Sequence, residues 1–272
     1  MTTCLIDAPL EEASLVTFKD GPTGRILTLR LAESPSDRSR AEALVAQMYA
    51  KRGYPTEGLL PEGPRYATFL LSDSEGTDLG TVTVGSGEGS LRAEESYPEE
   101  IAALRSQEGR SICEFNALAI LPGHGSAPAL ARLFHAALLA GGPILGHSHG
   151  MVEVTKTHAR FYERILGFVR VEEGRECSRV GVVSVLLSLN FDEALRRAES
   201  CYERSARSRQ KLHLYPFVFT RRESNKILER LSERLFSPAR ILRDRCIGSF
   251  PSLPEGQRSG SYRSGHRPSV PA

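Results

Sequence analysis

A chain of 272 residues with 40% hydrophobic side chains can bury one core of about 150 to 200 residues and still carry an appendage. Trp is absent and aromatics make up 7%, which argues against a base-stacking nucleic-acid platform; five cysteines without a CxxC spacing (Cys4, Cys113, Cys177, Cys201, Cys246) argue against a disulfide frame or a zinc site. The net charge of +2 conceals an asymmetry, because residues 191–272 hold 17 Lys/Arg against 9 Asp/Glu, a net +8, leaving −6 on residues 1–190.

Residues 1–24, with Pro9, Gly21, Pro22 and Gly24 and no sustained period, read as a mobile leader. RILTLRL (Arg25–Leu31) is the first strand, with Leu27, Leu29 and Leu31 on one face. Ser36 or Asp37 caps a helix to about Arg52, whose apolar stripe is Ala41, Leu44, Val45, Met48 and Tyr49. Gly53 ends it, and Tyr54–Pro64 has the length of a lid. Two β-rich runs, Tyr66–Leu71 and Leu79–Val84, form a hairpin; a Gly-rich turn then leads to a helix over Ala93–Gln107.

In the central stretch, Ser111–Ile120 alternates as a strand that puts Glu114, Asn116 and Leu118 on one face and Cys113, Phe115, Ala117 and Ala119 on the other. Gly123 and Gly125 make a loop, Ser126 caps and Pro128 opens a helix to about Ala140, and its first-turn N–H groups suit a phosphate or oxyanion. Gly141, Gly142 and Pro143 break the chain before a strand over Gly150–Thr155. A helix over His158–Ile165, a strand from Gly167 and Phe168, and an apolar strand over Val180–Leu189 complete the body. Beyond it, Phe191–Lys211 and Glu223–Leu235 are helical, while Ser, Gly, Pro and Arg from Gly248 onward predict disorder. Without a signal peptide or long apolar run, a cytoplasmic protein is expected.

The element order is that of the GNAT acyltransferases. Two blocks, Leu104–Ala119 (LRSQEGRSICEFNALA) and His158–Phe168 (HARFYERILGF), resemble the catalytic core of the N-acyl amino acid synthases of FeeM type, a GNAT branch similar to the acyl-homoserine-lactone synthases. The resemblance spans about Arg25–Leu189. It implies an α/β (α+β) fold, a GNAT-like, mainly antiparallel mixed sheet flanked by helices over residues 25–190. A basic helical extension (191–247) and a disordered tail (248–272) complete the chain. The implied reaction moves a long-chain acyl group from acyl carrier protein, or less often acyl-CoA, to the amine of an amino acid.

Such a reaction needs a base for the amine, and Glu114 is the candidate, its alternative being a salt bridge to Arg110 or a lysine. Backbone N–H groups at Leu118, Ala119 and Ile120 would hold the oxyanion if the ladder is interrupted there, with pantetheine near Gly123 and Gly125. The resemblance gives Tyr162 the thiolate-protonating role, unless it is a core aromatic; His158 contacts the amino acid or pantetheine, or caps its helix. Asn116 orients substrate or satisfies a backbone group. An apolar tunnel is expected between the hairpin 66–84 and the helix 93–107. His147, Ser148 and His149 lack an acidic or cysteine partner at metal spacing, so no metal site and no permanently bound cofactor are expected.

The basic region offers a docking face for the acidic carrier protein, with Arg196, Arg197, Arg204, Arg207 and Arg209 foremost and Arg221 and Arg222 next. A membrane surface, or a solvated face that meets only its own acidic body, is the alternative. Ile120 stands where CoA-binding relatives have a polar residue, which weakens a plain acetyl-CoA reading, and VTKTH lacks the proline usual before the FY helix. Competing functions are an N-acetyltransferase using acetyl-CoA and a non-catalytic domain that binds an acyl group or protein.

Overall fold

Leu27, Leu29 and Leu31 are all buried in strand β2 (Ile26–Leu31), where their alternation with Thr28 and Arg30 fixes the face that meets the core. The computed structural model describes residues 14–61, 63, 65–86, 91–203 and 214–237. Among them one sheet has eight strands in the order β1-β2-β3-β4-β5-β6-β8-β7. The others are β1 (Ser14–Lys19), β3 (Tyr66–Asp73), β4 (Asp78–Gly85), β5 (Ile112–Ile120), β6 (His149–Thr155), β7 (Val169–Cys177) and β8 (Val182–Asn190). Every neighbouring pair is antiparallel except β5 and β6.

Strand β1 lies within the stretch read from sequence as a leader. It pairs with β2 from Ser14↔Arg30 to Lys19↔Ile26 and buries Leu15 and Phe18. Arg230, on the C-terminal helix α6 (Arg221–Leu235), donates to the carbonyls of Ser14 and Leu15, so the edge of the sheet is tied to the other end of the chain.

Helix α1 (Pro35–Ala50) is capped two residues before the nearer expected cap, Ser36. Ser34 is the N-cap, accepting from the Asp37 N–H at 3.0 Å, with Pro35 ideally placed for a missing first-turn donor. Leu44, Val45 and Met48 pack with Leu59, Leu60 and Leu70 on one face of the sheet. The apolar helix α3 (Ala127–Leu139) packs in the larger core on Leu29, Phe69, Leu71 and Phe115. It does not stop at Gly141 and Gly142: a π turn carries it to Ile144, and a Cβ on Gly141 would come within 3.0 Å of the Phe191 ring. A side chain there would displace the ring, so the glycines serve close packing rather than a break.

The expected helix 93–107 divides into a 3₁₀ turn (Arg92–Glu95) and α2 (Pro98–Arg105), since Pro98 has no N–H to continue the first turn. After β6, α4 (Lys156–Phe161) runs into a π turn, Tyr162–Leu166, ended by Gly167 at φ 82°. Helix α5 (Phe191–Glu203) comes directly after β8. LYPFVF contains a short 3₁₀ turn, Tyr215–Phe217.

Strand β5 is irregular in two ways. Thr81 pairs with Ala119 and Thr83 with Asn116, so β5 carries an extra residue against β4, and Ala117 adopts φ 52° to make this bulge. The alternation therefore changes sides. Ala117 and Ala119 join the α1 cluster, while Leu118 and Ile120 pack with the larger core, the reverse of a regular strand. Secondly, β5 and β6 pair only at Ile112↔His149, Cys113↔Gly150 and Glu114↔Met151. Beyond Glu114 the strands part, β5 staying with β4 and β6 with β8 as far as Thr155↔Ser184. Gly150 permits their close start, because a Cβ there would fall 2.3 Å from the Phe115 ring.

Candidate active site

The parting of β5 and β6 opens a cleft of about 560 Å³, in the size range of small-molecule sites. Its sides come from β5 (Glu114–Ile120), β6 (Val152–Thr155), the end of α1 (Met48, Tyr49, Arg52), the segment Tyr54–Leu59, and Cys177 to Val182 around the β7–β8 turn. His158 and Phe161 of α4 and Tyr162 of the π turn complete it. The hairpin 66–84 and the stretch 93–107 do not line it, so the expected tunnel walls are corrected: those residues face their own cores, as Val82, Val84, Tyr97 and Ile101 do. Met48, Leu118, Ile120, Leu130, Val152, Val154 and Phe161 supply the apolar surface instead.

Glu114 is 2% exposed and sits at the point of parting. Its Oε2 accepts from the Arg92 N–H at 2.7 Å and its Oε1 from the Ala93 N–H at 3.0 Å, so neither Arg110 nor a lysine is its partner. Burial pushes its carboxyl up to about 7, against the pull of those N–H groups, of Arg179 and of Asn116. A carboxyl poised near neutrality can accept a proton from an ammonium and later return it.

Arg92 organises the neighbourhood from both ends. Its backbone N–H holds Glu114, its carbonyl accepts from Arg179 Nη1 at 2.7 Å, and its guanidinium donates to the carbonyls of Gly58 and Leu59, each at 2.9 Å. The segment expected as a lid is thus pinned, with Leu59 and Leu60 buried and Tyr54 edge-on to Tyr49 at 5.7 Å. Arg179 also pairs with Glu95 (3.0 Å) and Glu153 (2.6 Å), whose other oxygen accepts from Ser184 at 2.8 Å.

Tyr162 is buried against Phe161 and Phe168, lines the cleft, and burial holds its hydroxyl above the ordinary value, so it keeps its proton at neutral pH. Asn116 lines the cleft as well, and its buried Nδ2 has no hydrogen-bond partner. His158 Nδ1 lies 2.9 Å from Thr155 Oγ1 and its Nε2 lies 3.5 Å from Arg52 Nη2; burial and Arg52 both lower its pKa. The bulge interrupts the β5 ladder beside Leu118, Ala119 and Ile120, the stretch expected to supply oxyanion donors.

Gly123 and Gly125 fall outside the cleft lining. At the start of α3, Ser126 accepts from the Ala129 N–H at 3.0 Å and donates to the buried Asp20 at 2.6 Å, and Pro128 has no N–H. Two of the first three helical positions therefore offer no donor to a ligand, and a carboxylate stands beside them. Arg196 and Arg197 are exposed on α5, Arg197 paired with Glu193, whereas Arg204, Arg207 and Arg209 lie outside the described residues. Arg221 and Arg222 are exposed at the start of α6. His147 bonds to Ser111 (2.7 Å) and Ser86 (3.2 Å), while His149 faces Ser148 and Asn190, so the two histidines serve different neighbours.

Sequence reasoning passed over Tyr49, Arg52, Glu153 and Arg179. Tyr49 looked like one more member of an apolar stripe. Glu153 carried a signal, a lone carboxylate between Val152 and Val154 in a strand.

A mixed sheet whose single parallel pair parts around a buried carboxylate, with helices on both faces, is the architecture of the GNAT-type N-acyltransferases. The chain belongs to the N-acyl amino acid synthase FeeM family, which residues 40–190 match. The structure of FeeM, an N-acyl amino acid synthase from uncultured soil microbes, is similar at a TM-score of 0.56 and 24% identity, covering 62% of this chain and 93% of that one. A putative N-acetyltransferase from Lactobacillus plantarum matches at 0.45 and 15% identity, over 61% of this chain and 98% of that one. The spermidine/spermine N-acetyltransferase SpeG from Vibrio cholerae matches at 0.40 and 17%, over 64% and 97%. No curated protein matches the chain.

Proposed function

We propose that this N-acyltransferase moves a long-chain fatty acyl group from acyl carrier protein to the amine of an amino acid, giving an N-acyl amino acid. The observation that carries the reading is Glu114, buried where β5 and β6 part and poised near neutral pH. Its carboxylate takes a proton from the acceptor ammonium, directly or through water, and the freed amine attacks the thioester carbonyl. N–H groups of the bulged stretch Leu118–Ile120 receive the oxyanion. When the intermediate collapses the C–S bond breaks, and the thiolate of phosphopantetheine takes a proton from Tyr162. Asn116 Nδ2, beside the Glu114 carboxylate but outside direct hydrogen-bond geometry with it, is a donor for a substrate oxygen.

The start of α3 favours a carrier-bound donor over CoA. A diphosphate placed there would meet the Asp20 carboxylate and few N–H groups. The apolar cleft surface favours a long chain over acetyl, each buried CH₂ being worth about 0.8 kcal/mol. The positive excess of residues 191–272 supports docking of an acidic carrier protein in the cytoplasm, through Arg196, Arg197 and the arginines beyond them.

The test is mass spectrometry of lipid extracts from cells making the protein, followed by assays with acyl carrier protein and CoA thioesters side by side. N-acyl amino acids in the extract, formed faster from the carrier thioester, support the reading; acetylated amines formed from acetyl-CoA alone would replace it. Charge reversal of Arg204 and Arg207 should raise KM for acyl carrier protein several-fold and leave that for the amino acid unchanged.

A further inference from the structure

Among the described residues three arginines line the cleft, and two of them are spoken for. Arg179 is held by Glu95, Glu153 and the Arg92 carbonyl, and the Arg92 guanidinium by the carbonyls of Gly58 and Leu59. Arg52 differs. It donates to the Met48 carbonyl through Nη1 at 3.0 Å and faces His158 Nε2 at 3.5 Å, and no carboxylate among the described residues lies within ion-pair distance of it.

None of the three acidic residues of the cleft lining is paired with it: Glu57 is exposed and makes no ion pair with Arg52. Glu114 faces the backbone N–H groups of Arg92 and Ala93, and Glu153 is paired with Arg179 and Ser184. Met48 fixes one arm of the Arg52 guanidinium. With Nε2 accepting, the proton of neutral His158 sits on Nδ1 and is shared with Thr155 Oγ1, so the imidazole steadies the second arm without adding charge. The remaining N–H groups of a planar fork, held on two sides and exposed at the cleft, match a carboxylate.

Resting on the acyl-transfer reading above, we infer that Arg52, steadied by His158, binds the carboxylate of the amine acceptor and so selects amino acids over amines that lack a negative group. The acceptor's carboxylate is held on Arg52, and its ammonium passes its proton to Glu114 directly or through water. A cationic polyamine presents a positive group where the acid has its carboxylate, and the free guanidinium repels it.

The experiment compares the wild type with Arg52→Gln and Arg52→Lys in the full chain. Each is assayed with a saturating fatty acyl thioester against a panel of amino acids and the matching carboxamides. A charge-assisted contact of this kind is worth about 10- to 100-fold. The expected result is a wild-type preference for acid over amide of that size and its collapse towards one in Arg52→Gln through a raised KM for the acid. Arg52→Lys should restore part of it, and the donor KM should not change. An acid-to-amide ratio unchanged by Arg52→Gln overturns the inference alone. So does a rise in donor KM in place of acceptor KM, which would assign Arg52 to the phosphate of the donor. A wild type that acylates no amino acid overturns the proposed function, and the inference falls with it.

Discussion

Glu114→Gln separates the chemical duty of the carboxyl from its structural one. In the fold this carboxyl titrates near 7, raised by burial from an ordinary 4.5, so the folded protein binds its proton more tightly than the unfolded chain does. The proton-linked stability is therefore fully present below about pH 4.5 and is lost as pH rises through 7. The gap corresponds to about 3 kcal/mol. Gln imitates the protonated form, keeping one carbonyl acceptor for the N–H groups of Arg92 and Ala93. Its melting temperature should match the wild type near pH 5 and exceed it at pH 8. Turnover should fall about 10²-fold or more, and wild-type kcat/KM should climb with pH to a plateau above about 7. Thermal unfolding between pH 5 and 8 and steady-state kinetics over the same range read both effects. A stability difference that does not vary with pH would refute the raised carboxyl, and full activity of folded Glu114→Gln would remove it from the mechanism.

Arg92→Ala deletes two bonds to the lid carbonyls while leaving the backbone N–H on Glu114 in place. It should cost about 1–3 kcal/mol in denaturant unfolding and make the segment 54–60 a site of limited proteolysis. Ala117→Gly, at the φ 52° position of the bulge, relieves backbone strain and should gain up to about 1 kcal/mol, whereas Ala117→Val should lose more than that. Gly150→Ala drives a methyl into Phe115 and Phe191 and should lower stability by about 1–3 kcal/mol, visible as a lower melting temperature.

Strand β2, helix α1, the hairpin and the core of α3 were legible because their apolar periods are unbroken over six residues or more. Glu114 was legible for the opposite reason, a charge in the middle of an apolar strand. Strand β1 was hidden, since its glycine and proline neighbours look like a linker and only Leu15 and Phe18 reach the core. The bulge left no trace either: Ala117 is not a residue that advertises a left-handed backbone, and its effect was to swap the faces of everything after it. The cleft walls were misassigned because chain order tells which elements neighbour each other but not where a parallel pair comes apart. Arg52 and Arg179 are ordinary surface residues in sequence, and only the fold gives them a shared address.

The three-pair contact between β5 and β6 has a mechanical consequence. On one side of it stand β1 to β4 with most of β5; on the other stand β6, β8 and β7, joined by a ladder that runs the full length of β6. Two half-sheets, each stiff in itself, are thus stitched together at one end only, like the blades of shears closed at the rivet. If the cleft takes a long acyl chain as proposed, spreading the half-sheets to admit it would bend this stitch and leave the other ladders intact. Glu114 lies at that rivet, where such a displacement would be smallest, so a base placed there would keep its position while the walls moved.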